Sequence, residues 1–144
     1  MSRKKARELV MCLAFEKEYQ KDKSCQELYD YLFEELSEDI FFERDVKTRD
    51  KAYIKSTFSG VFEHLEQIDA LVSGFSVGWA YNRISKISMT LLRIAAYEIL
   101  YAEDVPVPIA INEAVELSKK YDDPEAYTFI NGVLAAVAKN NKKV

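Results

Sequence analysis

The sequence predicts an all-α fold, and two observations carry that expectation. Only four glycines and three prolines occur in 144 residues, far too few to turn a chain of short strands at intervals of about ten residues. Apolar residues, by contrast, recur at steps of three and four over six stretches, the period with which one helix face meets a core. With 49% hydrophobic residues, a single domain of this length can bury a substantial interior.

Each stretch carries its own start or stop signal. Ser2 is a suitable N-cap for a first helix in which Ala6, Leu9, Val10, Leu13 and Ala14 share a face as far as about Gln20. Ser24 and Glu27 form an S-x-x-E capping box, and Leu28, Leu32 and Leu36 continue a shorter second helix that ends near Ser37. From Glu27 to Asp45 eight acids stand against Arg44 alone; with Ile40, Phe41 and Phe42 among them, this reads as a solvated acidic connection pinned by aromatics. Ile54, Phe58, Val61, Leu65, Ile68 and Val72 follow at steps of four, three, four, three and four, the seam of one long helix stopping near Gly74. Gly74 and Gly78 then bracket a hinge before Trp79, dividing a single domain into sub-bundles 1–78 and 79–144.

Ile84, Ile87, Leu91, Leu92 and Ala95 build a fourth helix to about Tyr101, and Pro108 suits the first turn of a fifth that reaches Tyr121. Asp123-Pro124-Glu125 supplies an N-cap, a proline for the first helical position and an acid favoured by the helix dipole. The last helix presents Phe129, Ile130, Val133, Leu134 and Val137. Gly132 lies inside it, where glycine costs about 1 kcal/mol relative to alanine, so close approach of another helix is expected there. The tail from Lys139 to Lys143 is a second, weaker basic spot.

Little in the chain is built for catalysis. His64 is the single histidine, which leaves no parts for a histidine triad or a multi-histidine metal site. No Walker loop or GxGxxG occurs, and acids spaced at helical intervals do not distinguish a general acid from a solvated face. No enzyme activity, cofactor or metal is expected. Cys12 and Cys25 form no CxxC pair and read as reduced, packed thiols. The charged start is unlike a signal peptide, and no run of 18 apolar residues occurs. The expected setting is the cytoplasm, with no membrane partner.

One feature resists a purely structural reading. Arg3, Lys4, Lys5 and Arg7 crowd the opening "SRKKAREL" of a protein with 20 basic and 24 acidic residues; without them the balance would be −8 rather than −4. A helix amino terminus disfavours each such cation by about 0.3 to 1 kcal/mol, and Lys4, Lys5 and Arg7 are expected to be exposed there. On a helical wheel Lys4, Arg7, Met11 and Phe15 form a stripe opposite or flanking the Leu9 and Leu13 face. Such a stripe can meet phosphates and stack a base; a solubilising terminus with an ordinary exposed phenylalanine fits the same residues.

"LLRIAAYEIL" at 91–100, "VPVPIAINEAVELSKKY" at 105–121 and "FINGVL" at 129–134, in that order and with the opening "RKKAREL", resemble the signature blocks of the NusB family of transcription antitermination factors. The resemblance covers essentially the whole chain. It implies two packed three-helix bundles and an RNA-binding protein that recognises the single-stranded boxA element of ribosomal RNA leader transcripts. It also implies partnership with NusE, a small-subunit ribosomal protein, within the RNA polymerase antitermination complex.

By the same resemblance, the family's basic motif falls on Arg3, Lys4, Lys5 and Arg7 and its helical aromatic, often Tyr, on Phe15. A second RNA-facing region falls around Glu125 and Phe129, where the acid tunes affinity rather than supplies it. The NusE surface falls on the fourth expected helix, at Lys86, Ser88 and Met89, with Ser88 standing where the family commonly has an acid. Arg93, Glu98, Asn112, Glu113 and Asn131 belong to the blocks and are expected to form a structural hydrogen-bonded network. Two alternatives remain: a helical protein-interaction module with incidental cations, and a NusB-like RNA-binding domain serving ribosomal RNA processing or modification. In the wider fold family such a domain is fused to a cytosine methyltransferase, which this chain is expected to lack. Both a monomer and a homodimer are compatible with the sequence.

Overall fold

A computed structural model describes residues 1–34, 46–76 and 84–141. The connection around Ile40 to Phe42, the Gly78-Trp79 hinge and the Lys142-Lys143 tail lie outside them. Seven α-helices are present among the described residues: α1 (Arg3–Tyr19), α2 (Cys25–Glu34), α3 (Thr48–Glu63), α4 (Leu65–Gly74), α5 (Lys86–Tyr101), α6 (Val107–Tyr121) and α7 (Ala126–Asn140). They fall into two compact units, Met1–Phe62 and Glu63–Val144.

The first unit is a three-helix bundle. Ser2 caps α1, its hydroxyl accepting the Lys5 N–H at 3.1 Å. The expected capping box closes at α2, where Ser24 Oγ accepts the Glu27 N–H at 3.0 Å and Glu27 Oε1 accepts the Ser24 N–H at 3.3 Å. Ala6, Leu9, Val10, Leu13 and Ala14 of α1, Leu28 of α2 and Ile54, Phe58 and Val61 of α3 are buried. Between α2 and α3 the side chains are amphipathic: Lys51 and Lys55 lay their ammonium groups 5.5 and 5.8 Å from the Phe33 and Tyr29 rings.

The long helix expected from Ile54 to Val72 is divided at His64, whose φ of −110° and ψ of 19° leave the helical range. The apolar period runs through the break, with Ile68 and Val72 still fully buried. Those two side chains belong to a helix that packs on α5 and α7, so the chain passes between units here, earlier than the Gly78-Trp79 hinge that the sequence suggests.

In the second unit α5, α6 and α7 pack on one another as a three-helix bundle, with α4 added against α5 and α7. Helix α5 is central, and Leu91, Leu92, Ala95, Ala96 and Ile99 leave almost no surface. Arg93 is 7% exposed and spans back to α4 with a two-pronged pair, Nε to Asp69 Oδ1 at 2.9 Å and a terminal nitrogen to Asp69 Oδ2 at 3.0 Å. Arg93 is therefore structural, as expected, and Glu98 is likewise buried. Asn112 and Asn131 are exposed instead; they lie on the outward faces of α6 and α7 and take no part in a buried network. Gly132 also faces outward, with nothing within 4 Å of where a Cβ would stand, which corrects the expected close approach. Helix α7 begins at Ala126 because its N–H closes a tight turn onto the Asp123 carbonyl at 3.0 Å, displacing the start past Pro124.

Candidate nucleic-acid interface

The first turn of α1 does not present four equivalent cations. Arg3 and Lys4 are exposed and Lys5 is half-buried. Arg7 is only 6% exposed, and its guanidinium lies 5.6 Å from the Tyr53 ring of α3. The Arg3 guanidinium sits over the same ring at 4.0 Å. One tyrosine thus gathers two arginines, and a ring face is a favourable seat for a planar cation that is weakly hydrated. The expectation that Arg7 is exposed is corrected: it is a packing residue between α1 and α3. Met11, one turn further on, is 4% exposed and belongs to the core. On α3, Asp50 is 2% exposed and its Oδ2 has no hydrogen-bond partner.

The outward stripe of α1 is consequently rotated from the one expected. Lys4, Glu8, Cys12, Phe15 and Tyr19 succeed one another at steps of four, four, three and four and share one face. Tyr19 is 63% exposed, and its ring lies 5.2 Å from that of half-buried Phe15, inclined at 55°. Sequence reasoning passed over Tyr19, although its position four residues after Phe15 was signal enough. The stripe measures about 22 Å from Lys4 to Tyr19 at the rise of an α-helix. It offers cations at one end and two ring faces at the other. Beside it a cleft of about 410 Å³ opens between α1 and α2, lined by Cys12, Glu16, Leu28 and Tyr31 among others.

The remaining candidate residues lie in the second unit. Glu125 is exposed at the start of α7, whereas Phe129, one turn further on, is 6% exposed and packs inward. Of the three residues assigned to a protein partner, Lys86 alone is exposed. Ser88 and Met89 are 3% and 8% exposed. Ser88 donates its hydroxyl to Asp122 Oδ2 at 2.5 Å. Ser85, the N-cap of α5, donates to the same oxygen at 2.8 Å and accepts the Ser88 N–H at 2.9 Å. Asp122 Oδ1 takes the Asp123 N–H at 2.8 Å. A carboxylate at the end of α6 thereby ties down the start of α5, and an acid at position 88 would meet it with like charge.

Among the described residues no group of His, Cys, Asp and Glu could hold a metal ion, and no helix is long and apolar enough to cross a membrane. What the fold and the α1 stripe define is a small helical binding protein. The family model described as the NusB family matches residues 4–139. A transcription antitermination protein NusB of Clostridium perfringens is 43% identical over 143 residues, covering 99% of this chain and all of that relative. A protein of the same description from Acetivibrio thermocellus is 40% identical over 139 residues, covering 96% and 90% of the two chains. The structure of T. maritima NusB aligns with a TM-score of 0.83 at 28% identity, over 99% of this chain and 94% of that one. A structure of antitermination factors NusB and NusE in complex with double-stranded RNA aligns with a TM-score of 0.78 at 24% identity, over 96% of each chain. The chain belongs to the NusB family. It is a transcription antitermination factor and not an enzyme.

Proposed function

We propose that this chain binds single-stranded boxA-type RNA of ribosomal RNA leader transcripts and does so together with NusE, in the cytoplasm, as part of the RNA polymerase antitermination complex. The observation that carries the reading is the α1 stripe: exposed Lys4 and Arg3 with half-buried Lys5 at one end, Phe15 and Tyr19 at the other, on a protein whose net charge is −4. Phosphates are held at the cationic end and unstacked bases meet the rings. Glu125, if near the RNA path, lowers affinity by its charge and sharpens choice. Phe129 acts from beneath by packing. Lys86 is the surface contact for NusE, and Ser88 and Met89 support it from within.

The test is a titration of the full chain with a short boxA RNA and a scrambled one across a salt series, with and without NusE. Three phosphate contacts give a slope of log K on log salt of about −2 for a single strand. Tighter binding to boxA than to the scrambled strand, strengthened by NusE, is expected. Phe15→Ala should cost about 1 to 3 kcal/mol of RNA affinity while leaving that slope in place. Equal and salt-insensitive binding to both strands would leave the protein-interaction alternative, with the cations serving only the fold. Size analysis with and without RNA in the same samples separates a monomer from a homodimer.

A further inference from the structure

Several aromatic side chains of this protein have one of its own cations laid over them. Arg3 and Arg7 cover Tyr53, Lys17 lies 5.7 Å from Phe62, Lys119 4.9 Å from Tyr127 and Lys120 5.1 Å from Tyr121. Another group of rings, in the second unit, is arranged differently. Where α4 begins and α5 ends, the His64 ring stacks on Tyr101 with centroids 3.9 Å apart and planes 15° from parallel. Tyr97 completes the group, 5.7 Å from Tyr101 and 6.3 Å from His64. No described Lys or Arg lies over either tyrosine of this group, yet Tyr101 is 38% exposed.

The charges that act on Tyr97 favour a cation. Burial, followed by the carboxylates of Glu63, Glu98 and Asp104, raises Tyr97 above the ordinary tyrosine value, so acids surround it on the α3, α5 and α5–α6 sides. Glu63 and Asp104 are exposed. The carboxyl end of α5 carries the partial negative charge of its last carbonyls, and no basic residue lies in its last turn to offset it. The same charges repel RNA. A planar guanidinium suits the site best, because it can lie flat on a ring while its edge N–H groups reach carboxylates.

We propose that the His64–Tyr97–Tyr101 face, rimmed by Glu63 and Asp104, is a docking point for an arginine side chain of a partner protein. It lies at the opposite end of α5 from Lys86, about 22 Å along the helix, so it is a separate contact from the one assigned to NusE above, and it does not depend on RNA binding. The experiment uses the full chain and a minimal probe, acetyl-Gly-Arg-Gly-amide, followed by proton NMR. A guanidinium over a ring moves the arginine side-chain protons upfield, which counter-ion attraction alone does not do. The expected result is an upfield shift that saturates, with cross-relaxation to the Tyr101 ring. Tyr101→Leu should abolish it, and Asp104→Asn, in an exposed turn that leaves the helices intact, should weaken binding about threefold or more. An equal response from the uncharged citrulline peptide, a shift retained in Tyr101→Leu, or no shift at all would overturn the proposal.

Discussion

Arg7 separates what the basic start does for the fold from what it does for RNA, and one substitution reads both. Arg7→Met keeps most of the apolar stem of this buried side chain but removes the charge over Tyr53. A cation–ring contact is worth about 0.5 to 1 kcal/mol when exposed and about 2 when desolvated, and a residue only 6% exposed belongs near the upper figure. For a chain of this length 1 kcal/mol corresponds to a change in Tm of about 3 °C, so the midpoint should fall by about 3 to 6 °C. Lys4→Met, at an exposed position, should leave Tm unchanged. The RNA titration inverts the order: each lost phosphate contact flattens the single-strand salt slope by about 0.7. Lys4→Met should show that flattening and Arg7→Met should not. Thermal circular dichroism and a salt series on the two variants suffice. If Arg7→Met left the midpoint alone and flattened the slope as Lys4→Met does, Arg7 would be a phosphate contact and the packing role argued from Tyr53 would be wrong.

Gly132→Ala should raise stability by about 0.5 to 1 kcal/mol, since the position is helical and open; a lowered melting midpoint would mean that something packs there. Ser88→Asp should destabilise by about 1 to 3 kcal/mol by losing a donor to Asp122 and burying like charge, and adding Asp122→Asn should recover part of the loss. If the double variant is no better than the single one, Asp122 is not the cause. The raised Tyr97 contributes stability that is intact below the ordinary tyrosine value of about 10 and is lost as pH climbs through its own higher value. Tyr97→Phe should therefore flatten the alkaline decline in stability, and an unaltered decline would assign it to other groups. NusE and boxA RNA should bind together, because Lys4 and Lys86 lie in different units; competition between them in a titration would refute separate surfaces.

Local signals were readable from the chain and non-local ones were not. The Ser2 cap, the Ser24–Glu27 box and Pro108 in the first turn of α6 depend on neighbours within four residues, so sequence spacing suffices to find them. The break at His64 left no mark, because Leu65 and Ile68 keep the apolar period whether or not the backbone hydrogen bonds continue. Arg7 reads as exposed from its charge; its ring partner is Tyr53, on another helix. Ser88 and Met89 sit on α5, which is buried on nearly every side, so no polar face existed to show which way they point. The cost of Gly132 to a helix is legible in the sequence, but cost alone does not say whether the space above it is filled.

The pair of arginines over Tyr53 bears on the thermodynamics of recognition. A long cationic side chain on a free surface explores many rotamers, and immobilising it against a ligand forfeits up to about 2 kcal/mol of that freedom. Arg3 is exposed, yet its guanidinium already rests on a ring at 4.0 Å, so much of its disorder was surrendered when α1 met α3. The in-plane N–H groups of a stacked guanidinium remain free to donate. A phosphate arriving there meets a donor array held in place beforehand, and the entropy of ordering Arg3 is charged to folding rather than to each binding event.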